Sequence, residues 1–202
     1  MSLTTEDITK QSSILPWINQ LYEEAFPANE RAPLSILLRK ARKPFVEFIA
    51  YFKNGSPIGF VYLARDQELV YLMYLAIDST QRSQGYGSEI LEQLRNQYPN
   101  DRIVLNIEFA DPNSPNLDER LRRRNFYVRN GYTGSGFLVK EFGVWYEALV
   151  CGGTIDREHY LKLYLRFMGF PLSLLARPKI VPTPDVPHLT DESKTGTSPP
   201  AP

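Results

Sequence analysis

The sequence holds little sulfur and little imidazole. Of its 202 residues one is cysteine, Cys151, and two are histidine, His159 and His188. A single cysteine excludes an internal disulfide framework and any multi-cysteine zinc or iron–sulfur site. Two histidines leave too few ligands for a histidine-rich metal centre. Net charge is missing too, because 23 Lys and Arg cancel 23 Asp and Glu. That balance disfavours both a nucleic-acid grip and an acidic solvating tail. Long apolar runs are absent. The longest, Leu69 to Ile77, has nine residues, and a membrane-spanning helix needs about 20. Met1 to Lys10 shows no basic head before an apolar run, so no secretory signal is expected and a cytoplasmic, reducing setting is. What remains is an ordinary globular composition, 43% hydrophobic and 23% charged, enough for one domain with or without an appendage.

The appendage is visible in the prolines. Of 16 in the chain, eight fall from Pro171 to Pro202. The stretch after Asp191 is polar and proline-rich and cannot bury enough apolar surface to offset the entropy of ordering it. We therefore divide the chain into a domain over 1–170 and an extended or disordered arm over 171–202. The front half of the arm, Leu172 to Val186, retains apolar residues that suit packing on a surface.

Within the domain the hydrophobic period changes along the chain. Ser12 and Ser13 are placed to cap a helix with Pro16 in its first turn, running to about Phe26. A short helix follows Pro33. Phe45 to Lys53 is rich in aromatic and β-branched residues, Asn54-Gly55 is a strong hairpin signal, and Pro57 to Ala64 answers as partner strand. Leu69 to Ile77 is nearly all apolar, as for a central strand covered on both faces. Residues 85–97 predict a helix, Arg102 to Phe109 a strand, and 117–130 a helix stopped at Gly131. Phe137–Phe142 and Val144–Val150 pair around Gly143. Thr154 opens a last helix with Leu161, Tyr164, Leu165 and Met168 on one face. A β-meander followed by strand–helix–strand predicts an α/β (α+β mixed) fold: a mixed, mainly antiparallel central sheet with helices on both faces.

The chemically informative stretch is Leu75 to Ser88. An apolar strand ends at Asp78, a polar loop follows, and Gly85 and Gly87 open a helix. Unpaired N–H groups and the positive end of a helix dipole favour an anion there. Glycines let the backbone approach a ligand, and Arg82 adds a charge suited to phosphate. A pyrophosphate is the group this corner fits; a plain turn into a helix is the alternative. A Walker loop is absent, and the third glycine of a dinucleotide fingerprint would fall on Ile90.

Arg82-Ser-Gln-Gly85-Tyr-Gly87 resembles the Gln/Arg-x-x-Gly-x-Gly/Ala motif of the GNAT superfamily of acyl-CoA-dependent N-acyltransferases. Phe126-Tyr127-Val-Arg-Asn-Gly131-Tyr132 resembles that family's Phe-Tyr-x-x-x-Gly-Phe segment, with Tyr132 in place of the commoner phenylalanine. The likeness covers about residues 10–150. Ala25 to Arg31 and the Cys151-Gly-Gly end resemble a bacterial branch whose substrates are mostly unassigned.

The resemblance implies acetyl-CoA as co-substrate and no metal. It implies that Leu75, Ala76 and Ile77 pair with the pantetheine amides, and that Arg82, Ser83, Gln84, Gly85, Tyr86, Gly87 and Ser88 hold the pyrophosphate. It implies Tyr127 as general acid to the leaving thiol and a backbone N–H near Leu75 for the oxyanion of a tetrahedral intermediate. The acceptor implied is a primary amine of a small molecule or peptide. A phenol arrives protonated at neutral pH, as an acid must; a core aromatic is the other reading of Tyr127. Acceptor deprotonation needs a base, and Glu108 lies on one face of its strand with Asn106. A water relay, electrostatic binding of the amine, or a plain strand end are the other readings of Glu108. Cys151 reads as a strand-end residue. One departure from the family is the run Arg120, Arg122, Arg123 and Arg124, which fits contact with cofactor phosphates, a solvated face paired with Asp118 and Glu119, or a nucleic-acid patch. Two other functions stay open: acyl-CoA binding without turnover, and an interaction protein using its arm. Neither a nucleic-acid nor a membrane partner is expected, and the arm is long enough to reach a second subunit in a homodimer.

Overall fold

The computed structural model describes residues 2–28, 30–169, 173 and 177–183. Eight strands form one sheet: β1 Thr4–Asp7, β2 Val46–Lys53, β3 Ser56–Asp66, β4 Leu69–Ile77, β5 Arg102–Glu108, β6 Thr133–Glu141, β7 Val144–Cys151 and β8 Lys179–Pro182. Five helices pack on it: α1 Leu15–Ala25, α2 Leu34–Lys40, α3 Tyr86–Gln97, α4 Leu117–Arg129 and α5 Arg157–Met168. The strand order is β1-β2-β3-β4-β5-β7-β6-β8. Every neighbouring pair is antiparallel except β4 and β5.

Two cores lie on the two faces of the sheet. On one, Ile18, Leu37 and Leu163 of α1, α2 and α5 meet Phe60, Tyr62 and Val104. On the other, Ile90, Leu91 and Leu94 of α3 meet Val61, Leu105 and Leu149, with Phe126 and Tyr127 of α4 against them. β4 sits between both cores, as its unbroken apolar run predicts.

The local signals hold where they are chemical and slip where they are only periodic. Asn54 and Gly55 both have positive φ, 51° and 80°, in the tight turn between β2 and β3. Pro16 lies in the first turn of α1, but Ile14 occupies the cap position and no side chain caps it. The Ser12 hydroxyl instead accepts from the Thr9 amide at 3.0 Å. α5 is capped by Asp156, whose carboxylate accepts from the His159 amide at 2.8 Å, rather than opened by Thr154. Its buried face is Tyr160, Leu163, Tyr164 and Phe167, one position out of step with Leu161 and Leu165. β1 is polar and exposed along its length and gives no periodic signal.

β8 lies in the front half of the proline-rich segment and pairs with β6 from Lys179 to Pro182. The rest of the expected arm, residues 184–202, lies outside the described residues.

The feature that positions the site is a divergence in the middle of the sheet. β4 and β5 pair over only three positions, Leu69 with Arg102, Val70 with Ile103 and Tyr71 with Val104. Beyond Tyr71 they separate. On its other side β4 shifts register against β3, where Tyr62 faces Tyr74 but Leu63 faces Leu72, so Met73 is an extra residue in a bulge. A bulge bends its strand and sharpens the local twist. The C-terminal half of β4 thus stays paired with β3 and leaves an edge open toward β5.

Candidate active site

A cleft of about 1370 Å³ occupies that opening. It reaches from the loop before α3, through the gap between β4 and β5, to the far face of the sheet. Leu75, Ala76 and Ile77 line it along β4, each paired on the other side with Val61, Phe60 and Gly59 of β3.

The loop at its first end leaves a run of backbone amides open. After β4 a short 3-10 turn, Ser79–Gln81, is held by Asp78, which accepts from the Thr80 amide at 2.8 Å. Hydrogen bonds to Thr80 hold the Asp78 carboxyl below its ordinary range. Ser83 and Gly85 both have left-handed φ, 62° and 84°, and the residues between and beside them do not. Alternation of this kind turns successive amides toward one concavity, a nest for an anion. No described residue accepts from the amides of Ser83, Gln84, Gly85, Tyr86, Gly87 or Ser88. Glu89 is the first to bond back, to the Gly85 carbonyl at 3.0 Å.

The two glycines serve different ends. A Cβ on Gly85 would meet nothing within 4 Å, so the residue is required for its φ of +84° rather than for space. A Cβ on Gly87 would lie 3.0 Å from the Phe126 ring. Gly87 therefore lets α3 close on α4, a packing role, while the residue also lines the cleft. Arg82 is exposed, and its Nε donates to the Ile77 carbonyl at 3.3 Å, tying the loop to the end of β4. Gln84 bonds Gln81 at 3.3 Å.

Tyr127 stands on α4 between these elements. Its ring packs edge-on against Phe126 and Tyr132, with centroids 5.1 and 5.6 Å away. Its hydroxyl makes no hydrogen bond to a described residue, and the side chain lines the cleft. Burial pushes the phenol up to about 12, partly opposed by Arg123. The group is thus protonated throughout the neutral range.

The far end of the cleft is acidic and aromatic. Glu108, at the end of β5, is bound by Arg120 at 3.1 Å. Arg120 also donates to the Phe109 carbonyl at 2.7 Å, which fixes it to the strand end. Glu30 lies across the cleft, its carboxyl raised by burial and then by Glu108 and bonded to Tyr146. Glu24 lines the same wall. Of the strand aromatics, Tyr71, Tyr74 and Tyr146 line the cleft. Phe137 is in the core instead, and Trp145 lies under Lys140.

Glu141 is a cleft residue that sequence reasoning misses. Asn106 donates to its carboxylate at 2.8 Å and Tyr160 at 3.3 Å. Burial pushes its carboxyl up to about 7, opposed by bonds from Tyr160, Tyr164 and Asn106. The available signal was weak: a polar residue one step before a Phe142-Gly143 turn reads as part of the turn.

Cys151 ends β7 opposite Ile103 at the other end of β5, away from the cleft. Neither it nor His159 lines the opening. The described residues contain no cluster of His, Cys, Asp and Glu able to hold a metal ion, and none of their helices is long and apolar enough to cross a membrane.

Among solved structures, one from Bacteroides thetaiotaomicron described as a putative acetyltransferase of the GNAT family superposes with a TM-score of 0.66 at 23% identity, over 84% of this chain and 98% of its own. An aminoglycoside 6'-N-acetyltransferase complexed with coenzyme A gives 0.59 at 16%, over 76% and 99%. A spermidine N-acetyltransferase chimera from Vibrio cholerae and hSSAT gives 0.58 at 18%, over 75% and 95%. At such identities these likenesses speak for the fold. No curated protein matches the sequence. The family model described as acetyltransferase (GNAT) family matches residues 13–132, which spans more than half of the chain and both motifs, and the chain belongs to that family of acetyltransferases.

Proposed function

We propose that this protein moves an acetyl group from acetyl-CoA to a primary amine of a small molecule or peptide, by direct attack through a tetrahedral intermediate. The observation that carries the reading is one continuous cleft through the sheet, with six unpaired amides at one end, Tyr127 at the waist and carboxylates beyond.

Acetyl-CoA, when bound, supplies an activated acetyl thioester. The amides of Ser83 to Ser88 hold its pyrophosphate, with Arg82 adding charge at the rim. The open edge of β4 at Leu75, Ala76 and Ile77 offers strand-like pairing to the pantetheine amides. A backbone N–H near Leu75 stabilises the oxyanion, a donor that is already in place and costs no reorganisation. Tyr127 gives a proton to the departing sulfur. A hydroxyl that has no partner among the described residues and stays protonated at neutral pH is available for that task.

The acceptor enters from the face carrying α1 and α5. Its ammonium must lose a proton before attack, and the wall around Glu108, Glu30 and Glu141 is where a cationic group finds opposite charge. Glu108 is the candidate base to which the sequence points, directly or through water. Two of the similar structures are titled as acting on an aminoglycoside and on spermidine, both polyamines, which agrees with an acidic acceptor wall.

The test is thiol release from acetyl-CoA with a panel of amines, alongside thermal stabilisation by acetyl-CoA. Ligand at 100 times its Kd adds about 2.7 kcal/mol to stability. Absence of any stabilisation at millimolar acetyl-CoA sinks the reading. Tyr127→Phe is expected to slow thiol release by about 100-fold or more while the stabilisation by acetyl-CoA remains.

A further inference from the structure

Of the carboxylates at the acceptor end of the cleft, Glu108, Glu30 and Glu141 differ in what neutralises them. Glu108 has a guanidinium at 3.1 Å. Glu30 feels Arg123 and Arg120. No Lys or Arg among the described residues pairs with Glu141. Its described partners are the Asn106 amide, at 2.8 Å, and the hydroxyls of Tyr160 and Tyr164. The groups facing it come from every neighbouring element: Tyr71 and Tyr74 from β4, Asn106 from β5, Tyr146 from β7, Tyr160 and Tyr164 from α5. All are neutral. Glu30 and Glu108 reach the same neighbourhood through Tyr146 and bring only further negative charge.

A largely buried carboxylate without a cation is costly unless hydrogen bonds and a charged ligand make up for the lost water. The protein side supplies the hydrogen bonds here. The same Asn106 Nδ2 atom lies 2.8 and 3.1 Å from the hydroxyls of Tyr160 and Tyr71, so its two hydrogens are shared among three acceptors and one amide organises the cage. The Asn106 Oδ1 atom is buried and has no partner. The missing element is thus a positive charge for Glu141, which an alkylammonium provides.

We infer that Glu141 is the group that receives the acceptor's ammonium and takes its proton, with Asn106, Tyr160 and Tyr164 as its positioning residues. This rests on the acetyl-transfer reading above and assigns within it the base, leaving Glu108 as the partner that fixes Arg120 and the end of β5. The protons balance as follows. The ammonium gives one to Glu141, which later passes it to solvent. The freed nitrogen lone pair forms the N–C bond to the acetyl carbon. The C–S bond breaks and the sulfur takes the proton of Tyr127. The nitrogen, now bearing two hydrogens and a positive charge, loses one to restore the Tyr127 hydroxyl and keeps one in the amide.

The elevated carboxyl supports the assignment. A base near 7 lies closer to an alkylammonium than an ordinary carboxylate does, so the uphill proton transfer is smaller.

The experiment is thiol release from acetyl-CoA between pH 5.5 and 9, with spermidine, kanamycin and a peptide beginning in alanine as acceptors. Wild-type kcat/KM is expected to rise tenfold per pH unit to a break near 7 and then level. Glu141→Gln is expected to lose about 100-fold or more and the break with it. Glu141→Asp keeps a break at a lower rate. Tyr164→Phe removes a bond that lowers the Glu141 pKa, so its break moves to higher pH. Glu108→Gln keeps the break near 7. A break that survives in Glu141→Gln, or vanishes in Glu108→Gln, overturns the assignment but leaves acetyl transfer standing. Should none of the three amines turn over, carboxyl-carbon NMR on glutamate-labelled protein decides. A resonance lost in Glu141→Gln and titrating near 7 upholds the assignment; one titrating near 4.5 overturns it. Acetyl-CoA that fails to bind refutes the transferase reading independently of that titration.

Discussion

Two buried acids on the β6–β7 hairpin face opposite sides of the sheet and have opposite company. Glu147, 2% exposed, looks toward α4 and is held by Arg124 at 3.0 Å. Glu141 looks toward α5 and has tyrosines and an asparagine around it but no cation among the described residues. The first is complete without any ligand. The second is satisfied in hydrogen bonds and unsatisfied in charge. A hairpin alternates its side chains between faces, so a few residues separate a structural carboxylate from one left available for chemistry. The contrast follows the two faces of the sheet: the α3–α4 side pairs its buried acid with a cation, and the α1–α5 side leaves Glu141 without one among the described residues.

The largest effect follows from breaking the complete pair. Arg124→Leu leaves Glu147 charged and buried, which costs about 3–5 kcal/mol. The loss should be visible in thermal melting without any ligand. If Arg124→Leu melts like the wild type, the two acids do not differ in the way their partners indicate.

Glu141 predicts the reverse sign. Its folded carboxyl lies near 7 against an ordinary value of 4.5. A raised carboxyl contributes stability that is fully present below its unfolded pKa and is lost as pH rises through the folded one. Between pH 4.5 and 7 the native state therefore weakens relative to one without this group. Glu141→Gln should melt higher than wild type at pH 8, by up to about 3 kcal/mol for a shift of this size, and show little gain at pH 4.5. An equal gain at both pH values points to packing rather than charge. A stabilising substitution that abolishes turnover is the pattern expected of a group kept for function at a cost to the fold.

The same division governs what could be read from the sequence. The loop proposed to hold the pyrophosphate stands out because it is local: Arg82 to Ser88 are consecutive, and their amides need only a turn to converge. Tyr127, the proposed acid, stands out through its motif with Gly131. Leu69–Ile77 announced a central strand by composition alone, although nothing in it announced the bulge at Met73. The setting of Glu141 was not legible, because Asn106, Glu141 and Tyr160 come from three distant segments and meet only through topology. The slip of one position on α5 hid Tyr160 among presumed surface residues and with it the cage around Glu141. β1 and β8 were missed for a related reason. Their pairing is made by backbone to a distant edge, at Ile49 to Phe52 and at Phe137 to Lys140, and carries no local pattern.

At the phosphate corner the expected effect is intermediate. Gly85→Ala introduces a Cβ into open space but at φ +84°, a conformation that costs an L-residue about 1–2 kcal/mol. The strain falls on the loop whose amides are to bind, so acetyl-CoA affinity should drop by roughly tenfold in a calorimetric titration. Unchanged affinity would show that the left-handed turn does not organise those amides.

The smallest effect concerns the arginines of α4, and it completes the comparison within a single helix. Arg120 and Arg124 point inward to Glu108 and Glu147. Arg122 and Arg123 are exposed and line the cleft. Arg123 makes only an exposed pair with Glu119 one turn away, at 3.3 Å, worth about 0.3–0.5 kcal/mol. Arg122 has no ion pair among the described residues. Their contribution to the fold is therefore slight, while both stand where a polyanion would run. Arg122→Ala and Arg123→Ala should each leave the melting temperature within about 0.5 kcal/mol of wild type and weaken acetyl-CoA by a few-fold at low salt. The difference should shrink as ionic strength rises, since exposed charges are screened beyond about 8 Å at physiological salt. Loss of stability equal to that of Arg124→Leu would mean that the helix carries four structural arginines, and that its outer face is no part of the cofactor site.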